Sequence, residues 1–170
     1  PGLFKKISGL GKKIFLDFKF HDIPNTVLRS IKSVTPYGIF SATVHISAGE
    51  SALKPAVSLS RRPQLWGVTI LTSLSSTDLS DIGFKHSSTE QVTHMAHLAK
   101  RAGLDGVVAS VGETAHLRAV LGPRFQIITP GIRPGGFDPG DQKRIATPQH
   151  ARSAGATFMV VGRPIIESNN

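Results

Sequence analysis

The chain contains no cysteine, which excludes disulfides and thiolate metal sites. It has one Trp and one Tyr in 170 residues, too few for the aromatic platforms on which proteins stack single-stranded bases. No apolar run approaches the roughly 20 residues of a membrane-spanning helix, so no membrane partner is expected. Nothing at the start resembles a cleavable signal, and a cytoplasmic protein is expected. No linker, low-complexity tract or sustained run of like charge divides the sequence, which predicts a single domain over residues 1–170.

What is present in excess is positive charge: 20 Lys and Arg against 11 Asp and Glu, a net charge of +9. Such a balance fits a polyanion partner. The basic residues, however, come as scattered pairs (Lys5-Lys6, Lys12-Lys13, Arg61-Arg62, Lys143-Arg144) rather than as a stripe, so nucleic-acid binding is not expected. Residues 2–13 have the look of a basic amphipathic surface helix, but Gly2, Gly9 and Gly11 weaken it. A helix end and a loop leading into a strand are expected there.

With 39% hydrophobic residues the chain can bury a sizeable core. Apolar, β-branched runs at 13–20, 39–47, 65–73, 106–110, 125–131 and 157–163 predict six strands. Helical stretches alternate with them at 26–34, 48–60, 88–102, 113–121 and 148–154. Ser87 and Glu90 are spaced as a capping box ahead of the third helix, and Val92, Met95, Ala96, Ala99 and Ala102 form its apolar face. Thr147 is placed to cap the last helix, with Pro148 at its first position. Strand-helix alternation of this kind predicts an α/β fold built on a parallel sheet.

The segment from Lys13 to Thr26 breaks the apolar pattern. Side chains alternate along a strand, so Ile14, Leu16, Phe18 and Phe20 are expected on the face that helices cover. Asp17 and Lys19 fall on the other face, two residues apart and able to pair, with Asp22 just beyond. Burying ions costs several kcal/mol each unless they are well paired, so this convergence marks a candidate site. In parallel α/β folds chemistry gathers at the carboxyl ends of the strands, where the other unusual residues also lie. The third strand ends in Leu71-Thr72-Ser73. The fifth runs into Thr129-Pro130-Gly131-Ile132-Arg133-Pro134-Gly135-Gly136. The sixth leads into Gly162-Arg163-Pro164, where a glycine opens backbone N–H groups to a phosphate and Arg163 can grip it.

The run Leu16-Asp17-Phe18-Lys19-Phe20-His21-Asp22-Ile23-Pro24-Asn25-Thr26 resembles the bacterial orotidine 5′-phosphate decarboxylases. So do Thr129-Pro130-Gly131-Ile132-Arg133-Pro134, Asp141-Gln142-Lys143-Arg144 and Val161-Gly162-Arg163-Pro164. The resemblance extends in order over nearly the whole chain. It implies a (β/α)8 TIM barrel, a homodimer, and conversion of orotidine 5′-monophosphate to uridine 5′-monophosphate in pyrimidine biosynthesis without metal or cofactor. By position it makes Lys19 the proton donor, Asp17 its charged neighbour, and Asp22 a residue reaching into the partner subunit's site. Ile23, Thr26 and Thr72 are implied to line the substrate, and Arg133, Gln142, Gly162 and Arg163 its phosphate and the gate over it.

Six strands fit in this chain where such a barrel has eight. Nothing upstream of Asp17 matches the family's first two strands, which carry an aspartate near the ribose and the first lysine of the charged array. An amino-terminal quarter and a final helix are therefore expected to be lacking, leaving two open sheet edges. Two other readings stand beside the decarboxylase: a related phospho-sugar lyase or epimerase using the same aspartate-lysine pair, and a catalytically inactive anion-binding fragment. Among the remaining candidates, His94 and His97 share a helix face without an evident third ligand, His45 is expected to be an ordinary strand residue, and Ser73 and Ser75 lack the base a nucleophile needs.

Overall fold

The computed structural model describes residues 2–134 and 146–168. Six strands form one sheet in sequence order: β1 (Phe15–Phe20), β2 (Ser41–His45), β3 (Gln64–Val68), β4 (Gly106–Val108), β5 (Gln126–Thr129) and β6 (Phe158–Met159). Every neighbouring pair is parallel. All six expected strands are present, each shorter than its apolar run: β1 begins two residues late, and in the other five the last residues of the run leave the sheet at its carboxyl edge.

The helices are α1 (Gly2–Gly9), α2 (Pro24–Val34), α3 (Glu50–Val57), α4 (Ser76–Asp81), α5 (Ser88–Ala102), α6 (Val111–Leu121), α7 (Pro148–Ser153) and α8 (Arg163–Ile166). α5 begins with the expected capping box between Ser87 and Glu90, and the Thr147 side chain accepts the His150 N–H at the start of α7. α6 starts two residues earlier than the sequence suggested, because Ser110 and Glu113 make a further capping box. Three short helices were not anticipated, among them α8, which takes up Arg163 shortly after β6. α4 carries its own signal, Ser75-x-x-Asp78, again a capping box. α1 replaces the expected helix end and loop: Gly2 and Gly9 lie at its ends, Gly11 takes a positive φ of 67° beyond it, and Phe4 and Ile7 pack on the core. The Phe4 ring sits 5.1 Å from that of Tyr37. Tertiary burial outweighs poor propensity in so short a segment.

One layer of the core lies between sheet and helices, where Leu16, Ala42, Val44, Leu65, Val107 and Ile127 meet Val27, Ile31, Leu53, Ala96, Ala99 and Leu117. Each Val, Leu or Ile among them contributes about 1.5–3 kcal/mol on burial. The other face of the sheet is concave. Phe40, just before β2, lies 6.1 Å from Phe158 on β6. A flat sheet would separate them by about 19 Å over four strand spacings, so the strands curl into most of a barrel. Trp66 fills the middle, 4.9 Å from Phe15 and 5.1 Å from Phe158.

A single row of the sheet fixes that tryptophan. Trp66, Gly106 and Gln126 are register partners on adjacent strands, and Trp66 Nε1–H donates to Gln126 Oε1 at 2.7 Å, passing over the glycine. A Cβ on Gly106 would lie 2.6 Å from the Gln126 carbonyl oxygen, a backbone atom that cannot step aside. Gly106→Ala should therefore destabilise the protein by about 1–3 kcal/mol, as overpacking does. Denaturant unfolding measures this, and an unchanged midpoint would show that the row tolerates a methyl group.

Candidate active site

β1 stops behaving as a regular strand where its charges begin. Phe15 and Leu16 pair with Ser41 and Ala42, but Phe20 pairs with Val44, so four residues of β1 span what two residues of β2 cover. The bulge holds Asp17, Phe18 and Lys19. Lys19 has φ 50°, the one positive φ at a non-glycine among the described residues, a conformation that costs an L-residue roughly 1–2 kcal/mol.

This overturns one expectation. Phe18 was placed with Leu16 on the helix-covered face, yet it is 62% exposed. The period of two fails because the bulge turns the chain over between Leu16 and Phe20. Leu16 is buried, and Phe20 still packs on the core.

The same bulge brings the charged pair together. Lys19 Nζ lies 2.7 Å from Asp17 Oδ2. Their side chains are 39% and 42% exposed, so the desolvation expected of a buried pair is small, and the pair lies open to the concave cavity. Thr43 on β2, only 1% exposed, ties the bulge down. Its Oγ1 accepts the Lys19 backbone N–H at 2.8 Å and donates to Asp17 Oδ1 at 2.9 Å. Sequence reasoning missed Thr43, because a threonine inside an apolar strand carries no signal of its own.

A cavity of about 240 Å³ opens above this pair, at the carboxyl ends of the strands. Phe15, Asp17, Lys19, Thr72, Pro130 and Val160 are among its lining. A second hollow of about 310 Å³ shares Pro130 and Val160 with it and is lined by Gly131, Arg133, Gly162 and Arg163. Arg133 is buried, with its Nη1 donating to the Ile132 carbonyl at 2.9 Å. The expected residues therefore fall into two adjoining groups: Asp17, Lys19 and Thr72 at the first hollow, Gly162 and the two arginines at the second.

The structure keeps other candidates apart. Asp22, Ile23 and Thr26 are exposed and line neither hollow. Asp22 Oδ1 accepts the Ile23 N–H at 2.7 Å, and among the described residues Asp22 forms no ion pair. Gln142, with its neighbours Asp141, Lys143 and Arg144, lies outside the described residues. His94 meets His86 edge to face at 5.1 Å, and no group of three or more His or acidic side chains able to hold a metal occurs among the described residues. Nor is any described helix long and apolar enough to cross a membrane.

His45 is less ordinary than expected. Its ring lies 4.9 Å from that of His21, and both line a hollow that shares Ile70 and Leu71 with the first cavity. Burial, then the His21 charge, then Lys19 hold its pKa below the usual imidazole value, against a smaller opposing pull from Asp17.

Comparison with known proteins agrees with this geometry. A family model described as "Orotidine 5′-phosphate decarboxylase / HUMPS family" matches residues 1–170. The chain is 45% identical over 175 residues to the orotidine 5′-phosphate decarboxylase of Aliivibrio fischeri strain MJ11, covering 100% of this chain and 75% of that protein. The crystal structure of orotidine 5′-phosphate decarboxylase from Lactobacillus acidophilus superposes with a TM-score of 0.84 at 38% identity, over 98% of this chain and 73% of that one. The Thermotoga maritima enzyme gives a TM-score of 0.75 at 30% identity, over 99% and 75%.

The positive φ of Lys19 makes a prediction that needs no substrate. Glycine accepts that conformation without the steric cost that alanine bears. Lys19→Gly should therefore be more stable than Lys19→Ala by about 1 kcal/mol, the reverse of their order in an ordinary strand. If chemical denaturation ranks alanine above glycine, the backbone at position 19 is not left-handed in solution.

Proposed function

Since the chain belongs to the orotidine 5′-phosphate decarboxylase / HUMPS family, we propose that its cavity decarboxylates orotidine 5′-monophosphate to uridine 5′-monophosphate, a step of pyrimidine biosynthesis. The observation that carries the reading is the continuity of the two hollows through Pro130 and Val160. One ligand can set its pyrimidine beside Lys19 and its phosphate beside Arg163 and Arg133. Thr72, buried in the lining of the first hollow, meets the base.

The chemistry follows from the charges. The bond between the ring carbon and its carboxylate breaks, carbon dioxide leaves, and the electron pair stays on the carbon. The Lys19 ammonium stands where that negative charge grows, so it stabilises the transition state more than the bound substrate. It then gives its proton to the carbon and regains one from solvent. Asp17, 2.7 Å away, aims the ammonium, and its repulsion of the substrate carboxylate is relieved as carbon dioxide departs. The arginines grip a phosphate remote from the reacting carbon, and that binding energy holds the ring in place.

Lys19→Ala should lower turnover at least about a hundredfold, within the range for removing a general acid. Uridine 5′-monophosphate binding should persist, because it needs no ammonium at the reacting carbon. Turnover is followed by loss of orotidine absorbance and binding by calorimetry. Retained turnover would remove Lys19 from the role, while binding of pentulose phosphates in place of the nucleotide would favour a phospho-sugar lyase of the same family.

Asp22 completes the reading if the enzyme is a homodimer with shared sites. The exposed Asp22, beside an Ile23 that is 68% exposed, does not line the Lys19 cavity of its own chain, and in this reading it serves the partner's. Mixing inactive Asp22→Ala and Lys19→Ala proteins should then restore about a quarter of wild-type activity, because random exchange makes about half the dimers mixed, each with one intact site. No recovery, with exchange verified by mass, would assign Asp22 to its own chain.

A further inference from the structure

We propose that Thr43 is a positioning residue for the reaction, acting through its hydroxyl to hold the Lys19 ammonium over the cavity. The proposal rests on the decarboxylase reading of this site. The polarity of the contact is fixed. A backbone N–H can only donate, so the hydroxyl accepts from Lys19 at 2.8 Å. A hydroxyl has one proton, and it goes to Asp17 Oδ1 at 2.9 Å. One side chain thus satisfies the bulge's backbone and occupies one oxygen of the carboxylate, leaving Oδ2 for Lys19 Nζ at 2.7 Å.

Both consequences bear on catalysis. The left-handed φ of Lys19 is a strained conformation that persists only where surrounding contacts hold it, and the Lys19 N–H is held by Thr43 from 24 residues away in sequence. Asp17 cannot swing its carboxylate away from the cavity without breaking the bond to Thr43. The contacts come from the buried wall of β2, not from solvent-exposed groups, since Thr43 is 1% exposed. Lys19 and Asp17 are both more than a third exposed, so without Thr43 their long side chains would be free to sample solvent.

The test compares Thr43→Val, which keeps the shape and loses both bonds, with Thr43→Ser, which keeps the hydroxyl. Thr43→Val should lower kcat at least about tenfold, as small misplacements of a catalytic group do, with the dissociation constant of uridine 5′-monophosphate nearly unchanged. Thr43→Ser should return kcat to within about threefold of wild type, since the transition-state contact is restored. Equal losses in both variants, or a loss confined to nucleotide binding with kcat intact, would overturn the proposal.

A second readout does not depend on the reaction. The rate at which an amine-reactive acylating reagent modifies Lys19, followed by peptide mass spectrometry, should rise several-fold in Thr43→Val as the ammonium leaves Asp17, and match wild type in Thr43→Ser. Unchanged labelling in Thr43→Val refutes the positioning role. If wild type fails to decarboxylate orotidine 5′-monophosphate yet labelling responds as expected, the function fails and the positioning stands. Should Thr43→Val not fold, Thr43→Cys replaces it: its thiol is a weak donor and acceptor, so an intermediate loss of kcat is expected, and full activity would count against the proposal.

Discussion

The left-handed turn of the backbone at Lys19 is the constraint on which the site depends. A regular β1 would carry Asp17 and Lys19 along one face at the spacing of alternate residues, with both amides committed to the ladder with β2. The bulge releases Lys19 from that ladder, and the Thr43 hydroxyl takes up the freed N–H. What is lost in pairing and in φ is returned as geometry: the ammonium and the carboxylate meet at 2.7 Å beside the cavity. A bulge next to an active site commonly serves to re-aim a side chain, and here it re-aims two.

Curvature supplies the second half of the site. Were the sheet flat, the loops after β1 and after β6 would lie far apart. The aromatic wedge of Phe15, Phe40, Trp66 and Phe158 occupies the concave face and draws the outer strands toward each other. The smallness of Gly106 lets Trp66 reach Gln126 across it. As a result Lys19 on β1 and Val160 just after β6 line one cavity, and Val160 also lines the arginine hollow. A residue pattern spread over more than 140 positions of sequence becomes a single trough.

Much of this was legible beforehand. The strand-helix alternation predicted the parallel order, and a capping box placed α5 and a threonine cap α7, because a serine or threonine that accepts an N–H three residues on is a local device. Asp17, Lys19, Thr72, Arg133, Gly162 and Arg163 fell at strand ends, where such folds keep their chemistry. The misreadings share a physical origin. Phe18 was assigned by alternation, which holds only while the pleat is unbroken, and the bulge is set by contacts with β2 that no local pattern reports. Thr43 was passed over for the same reason: its partners are 24 and 26 residues away. α1 was underestimated because Phe4 and Ile7 gain from a tertiary surface that residues 2–13 do not themselves encode.

The surroundings of the pair also decide which charge acts. His21 and His45 line a neighbouring hollow that shares Ile70 and Leu71 with the Lys19 cavity, near enough that two imidazolium ions would repel each other and the Lys19 ammonium. Burial and these neighbouring charges hold His45 below its ordinary pKa, which favours its uncharged ring. A cationic His45 would draw Asp17 toward itself and spread positive potential toward the cavity. Among the described residues that line the cavity, Lys19 is the one cation. The carboxylate of Asp17, held on its other oxygen by Thr43, then has that one cation to orient.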